Sequence, residues 1–202
     1  MKFISIRGLV FSALFAAVII ALSSLRIVLP FSPVPITLTT LGVMLAGSVL
    51  GARYASFSVL IVLLLVAVGF PVLGGRGGIS LLLGPSAGFF VAWPFAAFLI
   101  GWFAQRIKLN KYTFVKLLLA NFIFGSLLLY PTGVTWLAYN TGIATFGKAL
   151  TAGMLPFLPG DLLKAIISAA VATAVWRVYP IDRITSSSTE SAAAKYENST
   201  SA

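Results

Sequence analysis

The stretch FLPGDLLKAI, residues 157–166, carries two charged side chains, Asp161 and Lys164. Asp161 is the sole acidic residue before Asp182, in a chain whose charged fraction is only 9%. Their i, i+3 spacing puts both groups on one face of a helix. Pro159 and Gly160 precede them, and the helix dipole favours a carboxylate in a first turn. Read that way, the pair is a helix cap with a structural ion pair. Lys164 lies one turn deeper in an apolar run, where a charge costs about 3 kcal/mol on insertion scales and points to a substrate path. A small ligand with a carboxylate and a polar ring would use both groups, the ammonium for the carboxylate and the aspartate for N–H donors.

Other segments offer chemistry of lower specificity. GGRGG, 74–78, is either a flexible turn or a mount for Arg76, whose guanidinium is a fixed cationic fork. GPSAG, 84–88, fits the G-x-S-x-G pattern of a serine nucleophile. The chain has no His, so the ordinary base is missing and a hydrolase would need a Ser86–Lys164 dyad. The plainer reading of GPSAG is a turn entering the next helix. Trp136 and Tyr139 suit either interfacial anchoring or the stacking walls of a flat ligand site. Ala13, Ala17 and Ala21 repeat every four residues, a small-residue face for packing within a bundle or for docking another membrane protein. With no Cys and no His, disulfides and the commonest metal ligands are absent. No phosphate-binding loop occurs, so ATP hydrolysis belongs to another subunit, or an ion supplies the energy. A lone Asp makes a carboxylate relay a poor ion-coupling device.

The elements that must position these groups are membrane helices. Hydrophobic residues make up 59% of the chain and the mean hydropathy is +1.05, whereas soluble domains carry about 25% charged residues. The reading is an all-α integral membrane protein with six spans, near 8–28, 38–51, 54–70, 89–105, 114–138 and 158–179. LPFSPVPITL breaks the helix after the first span and favours an extended loop. Pro131 in YPTG should kink or break the fifth span, and 140–153 reads as a short loop holding Lys148. The N-terminus is signal-peptide-like, but its apolar run is long enough to span and reads as a retained first helix. Residues 1–181 form the membrane domain, and 182–202 a disordered cytoplasmic tail rich in Ser, Thr and Ala.

The net charge of +10 does not signal nucleic acid, because the basic residues sit at the ends of apolar runs. With a cytoplasmic N-terminus, ten lie inside: Lys2, Arg7, Arg53, Arg106, Lys108, Lys111, Lys116, Arg177, Arg183 and Lys195. Arg26, Arg76 and Lys148 lie outside, so both termini are expected to be cytoplasmic. PVPIT, GGRGG and the start of the sixth helix then share the outer side. Irregular backbone at membrane depth needs protein or a cavity around it, which suggests an outward pocket.

PVPITLTTLGVMLAGSVLG, FPVLGGRGGISLLLGPSAGFFVAWP and PFLPGDLLKA, in this order, resemble the BioY family. BioY proteins are biotin-binding substrate-capture (S) components of energy-coupling-factor transporters. The resemblance implies a six-helix S-component fold in the cell membrane, not an enzyme, with an outward biotin pocket lidded by the Pro33–Thr37 loop. The implied ligand contacts are Asp161, Lys164, Arg76, Gly75, Gly77, Gly84, Pro35 and Thr37, with Trp136 and Tyr139 as candidate walls. Lys164 is expected at the biotin carboxylate and Asp161 at the ureido ring, with the reverse arrangement open. Ala13, Ala17 and Ala21 would face a transmembrane coupling subunit bound to paired ATPases, which drive the loaded subunit to tip over. This chain itself needs no cofactor. The alternatives are an S component for another small vitamin and, from a different class, the Ser86–Lys164 hydrolase.

Overall fold

The computed structural model describes residues 5–28, 30, 32–142 and 146–179; the expected tail, 182–202, lies outside them. Helices dominate: α1 (Ile6–Ser23), α2 (Thr39–Leu50), α3 (Ala52–Val68), one-turn α4 (Ile79–Leu82), α5 (Ala87–Ala104), α6 (Thr113–Phe122), α7 (Leu129–Thr141), α8 (Phe146–Gly153) and α9 (Leu158–Val178). A π turn, Ile123–Leu127, joins α6 to α7. Strands β1 (Arg26–Ile27) and β2 (Ile36–Thr37) pair antiparallel, Arg26 with Thr37 and Ile27 with Ile36. Four stretches are long and apolar enough to cross a membrane: α1, α5, the 113–141 rod and α9. α2 and α3 are apolar but shorter, at 12 and 17 residues.

α2 is the centre of the bundle and packs on α1, α3, α5 and α9. Nearly all its side chains are buried. Its glycines explain how it reaches so many neighbours. A Cβ on Gly42 would stand 3.0 Å from the Ile19 Cα, and one on Gly47 would stand 2.7 Å from the Ile100 side chain. Lipid tails are as apolar as Leu, so helices in a membrane associate through close packing, which small residues permit. α2 passes directly to α3 through Gly51, which has φ +78.

Three expectations need correction. The first helix ends at Ser23 rather than near 28. There the Ser23 hydroxyl donates to Ile20 O at 2.6 Å and to Val72 O at 2.8 Å, and Arg26–Ile27 leave to pair with β2. The region near 140–153 is not simply a loop, since α8 lies within it and buries Ala149 beside Val134 and Leu137. Its eight residues are too short to register as a span. Pro131 does not break the fifth helix. The backbone widens into the π turn just ahead of it, which accommodates the missing N–H and the ring of a proline inside a helix.

At Gly101 a Cβ would lie 2.3 Å from the Ala52 backbone N, which cannot yield as a side chain could. Gly101→Val is therefore expected to cost about 1–3 kcal/mol by overpacking α5 on α3. A lowered melting temperature in detergent, with Gly147→Ala in an open helical position as a control for handling, checks this.

Candidate ligand-binding site

A cavity with about 760 Å³ of empty space, its open mouth included, sits at one end of the bundle. The starts of α2, α5 and α9 meet there, together with Tyr130 of α7, the β1–β2 hairpin and the glycine-rich loop before α5. The sequence reading placed these irregular segments on one side, and they do converge on one cavity.

Asp161 and Lys164 lie in its wall, 6% and 5% exposed. Lys164 Nζ donates to Asp161 Oδ1 at 2.9 Å and to Thr40 Oγ1 at 3.1 Å. Asp161 Oδ2 accepts from Ser126 Oγ at 2.7 Å and from Tyr130 OH at 2.5 Å. The π turn makes this possible, because it carries Ser126 and delivers Tyr130 to the same oxygen. Two buried charges are tolerable only when paired and hydrogen-bonded, and their mutual contact, together with three neighbours, Thr40, Ser126 and Tyr130, meets that condition here. Capacity is left over: an ammonium has three donors and a carboxylate about four acceptor positions. One N–H of Lys164 and one lone pair of Asp161 are free of protein partners in this bonding scheme. The floor is thus electrically neutral but able to donate and accept.

The mouth is different. Arg26 and Arg76 line it and have no acidic partner among the described residues, where Asp161–Lys164 is the one salt bridge. Arg76 is held by a tight turn in which Leu73 and Arg76 exchange backbone hydrogen bonds of 3.0 and 3.1 Å. Gly74 and Gly75, at φ +58 and +76, occupy its two central positions, as a type I′ turn demands. At Gly77 a Cβ would collide with Phe70 O at 2.0 Å. The GGRGG segment is therefore a built mount for Arg76. Ser23 clamps it to α1, accepting from Gly74 N–H at 3.2 Å.

The other candidates divide. Pro35 and Thr37 line the cavity. Gly75, Gly77 and Gly84 line a shallower depression beside it, which shares Arg76. Trp136 lies outside the cavity lining and donates from Nε1 to Gly84 O at 2.9 Å, tying α7 to the loop. Tyr139 is 82% exposed, so it is no wall of this cavity. The aromatic walls are Phe89, Phe90, Trp93, Tyr130 and Phe157. Phe89, Phe90 and Trp93 share one helix face by spacing, and that pattern just after GPSAG was the available signal. Ser126 offered none, since only the π turn directs it inward. Ser86 lines the cavity, yet no hydrogen bond joins it to Lys164 among the described residues, and that ammonium is held by Asp161 and Thr40. Ala13, Ala17 and Ala21 are all exposed on α1, while Ser12, Ala16 and Ile19 face the bundle.

A mostly apolar helical bundle with membrane-capable helices and an aromatic-walled pocket over a buried ion pair defines a membrane protein that binds a small polar molecule. Residues 1–181 match the BioY family, and the chain belongs to that family. It is 48% identical over 183 residues to a Rhizobium etli protein named biotin transporter BioY, covering 88% of this chain and 97% of the relative. A Bacillus subtilis protein named probable biotin transporter BioY is 46% identical over 145 residues, 71% of this chain and 76% of the relative. The crystal structure of the S-component for biotin from an ECF-type ABC transporter superposes with a TM-score of 0.79 at 36% identity, covering 85% of this chain and 92% of that one.

Removing one partner of a buried pair costs about 3–5 kcal/mol, because the other charge is stranded. Asp161→Leu alone, and Lys164→Met alone, should each accordingly destabilise the protein more than Asp161→Leu combined with Lys164→Met. Melting curves of the parent, both single variants and the pair, treated as a double-mutant cycle, check the expected recovery.

Proposed function

We propose that this chain is the biotin-capture subunit of an energy-coupling-factor transporter, and is not an enzyme. It would sit in the cell membrane with six spans, α1, α2, α3, α5, the α6–α7 rod and α9, and with both termini cytoplasmic. The positive-inside distribution of its basic residues supports that orientation. The observation that carries the substrate reading is the division of charge in the cavity, a neutral floor at Asp161–Lys164 beneath a cationic mouth at Arg26 and Arg76.

Biotin has a matching division. Its ureido group presents N–H donors and a carbonyl acceptor and carries no charge. Its thiophane ring and alkyl chain are apolar, and its carboxylate is at the far end. A neutral group that both donates and accepts suits the spare capacity of Asp161 and Lys164. The carboxylate is better matched by arginines that no acid neutralises among the described residues, since planar guanidinium forks suit carboxylates. The orientation thus reverses the sequence-based expectation for Lys164: ureido ring at the floor, carboxylate at the mouth. The aromatic walls between them cover the thiophane. Pro35 and Thr37, on the hairpin, stand where a lid over the carboxylate end would be.

The chain has no phosphate-binding loop, so its partners would be a transmembrane coupling subunit and paired ATPases. The exposed face of Ala13, Ala17 and Ala21 is a fitting surface for the coupling subunit, because small residues let a second helix approach closely.

Calorimetry on the detergent-solubilised protein tests the substrate: biotin should bind, and binding of another vitamin with none of biotin overturns the reading. Biotin methyl ester should bind at least about tenfold more weakly than biotin, the loss of one charge-assisted contact. The variant Arg26→Gln, Arg76→Gln should bind acid and ester alike. For the partner face, Ala17→Trp should leave biotin binding unchanged while stopping uptake by cells that carry the other subunits.

A further inference from the structure

Tryptophan Nε1 is a donor only, and a buried one almost always has an acceptor. This chain follows the rule twice: Trp136 Nε1 donates to Gly84 O at 2.9 Å and Trp176 Nε1 to Ser48 O at 3.0 Å. Trp102 is 42% exposed, with Arg106 over its ring. Trp93 breaks the rule. It is 4% exposed, and its Nε1 is buried with no hydrogen-bond partner among the described residues. Two other buried polar atoms share that condition, Asn121 Nδ2 and Ser168 Oγ, but neither residue lines the cavity. Trp93 does. Its ring is held by Phe90, centroids 4.8 Å apart at 60°, and the residue sits on the rigid α5. A fixed, buried, unanswered donor on a residue that lines the cavity is a group awaiting an acceptor.

We propose that the Trp93 indole N–H donates to the ureido oxygen of the bound ligand and makes Trp93 a specificity-determining residue. This rests on the biotin reading above. The ligand has three acceptors. The carboxylate is matched by Arg26 and Arg76 on the hairpin and the glycine-rich loop, and a thioether sulfur accepts only weakly. The ureido oxygen remains. Trp93 and Lys164 each stand six residues past the start of their helices, within the bundle rather than among the loops. The spare N–H of Lys164 and the indole N–H of Trp93 thus approach a carbonyl oxygen, which has two lone pairs, while Asp161 accepts from a ureido N–H. The site then reads a cyclic urea by both kinds of polar group. An analogue with a poorer acceptor would strand the buried indole donor, and stranding a site donor is what gives strong discrimination.

The experiment compares biotin, desthiobiotin and 2-thiobiotin, in which sulfur replaces the ureido oxygen, by calorimetry on the full chain. Trp93→Phe keeps an aromatic ring and removes the donor. A second variant, with 3-benzothienylalanine at position 93, keeps the bicyclic shape and removes only the N–H, which guards against loss of packing or folding in the first. Both variants should bind biotin and desthiobiotin about tenfold more weakly than the parent, and 2-thiobiotin within about threefold of the parent. Parent-like biotin affinity in the benzothienyl variant overturns the assignment, as do equal losses for biotin and 2-thiobiotin. A parent protein that binds no biotin overturns the substrate reading itself, and that result is separate because the parent is measured first.

Discussion

The buried pair of Asp161 and Lys164 is the constraint around which the cavity is organised. A charge within an apolar bundle is stable only with a counter-charge and donors or acceptors for what remains. Meeting those terms recruits Thr40 from α2 and Ser126 and Tyr130 from the α6–α7 rod, two elements fixed against α9 by one pair of side chains. The π turn at Ile123–Leu127 belongs to the same requirement. It shifts the helix so that Ser126 and Tyr130 reach a single carboxylate oxygen, and it makes Pro131 tolerable one turn later. The helix irregularity and the charge pair are two parts of one arrangement.

The neutral floor has a consequence for the empty protein. An unpaired lysine would leave a buried charge whenever the ligand departs. Here each charge has its counterpart at 2.9 Å within the protein itself. The cavity can therefore fill and empty without a large swing in electrostatic energy at its base. The cations without an acidic partner among the described residues, Arg26 and Arg76, lie instead at the mouth, near water, where a guanidinium is inexpensive to keep. Strong charge attraction at the entrance and hydrogen-bond matching at the floor are thus separated along the cavity.

How far the sequence revealed this depended on the reach of each signal. Asp161 and Lys164 were legible because their chemistry is conspicuous in an apolar chain and their spacing fixes a shared helix face. The helical, membrane-capable character was legible because hydropathy acts over many residues. The GGRGG turn was legible only as an ambiguity. Its glycines suggested either looseness or a mount, and the positive φ at Gly74 and Gly75 shows the mount. The end of α1, helix α8 and the role of Ser126 were not legible. Each is decided by a contact with a distant segment: Ser23 with Val72, Ala149 with Val134 and Leu137, Ser126 with Asp161. Trp136 and Tyr139 were credible aromatic walls by composition, yet the walls come mainly from α5, whose face was set by packing on α2, α3 and α7.

α1 joins two regions that the sequence presents separately. Its outward face carries Ala13, Ala17 and Ala21, and its inward face buries Ser12, Ala16 and Ile19. The same helix ends at Ser23, which hydrogen-bonds the glycine-rich loop at Val72 and Gly74, and it leads directly into Arg26 at the cavity mouth. Gly42 lets α1 sit against α2 almost backbone to side chain, so α1 is positioned by close packing along its length. Any helix that docked on the small-residue face would press on an element whose far end holds the entrance of the pocket. In this fold the small-residue face and the cavity mouth are therefore two stretches of one packed helix, with Ser23 as the hydrogen-bonded joint between them.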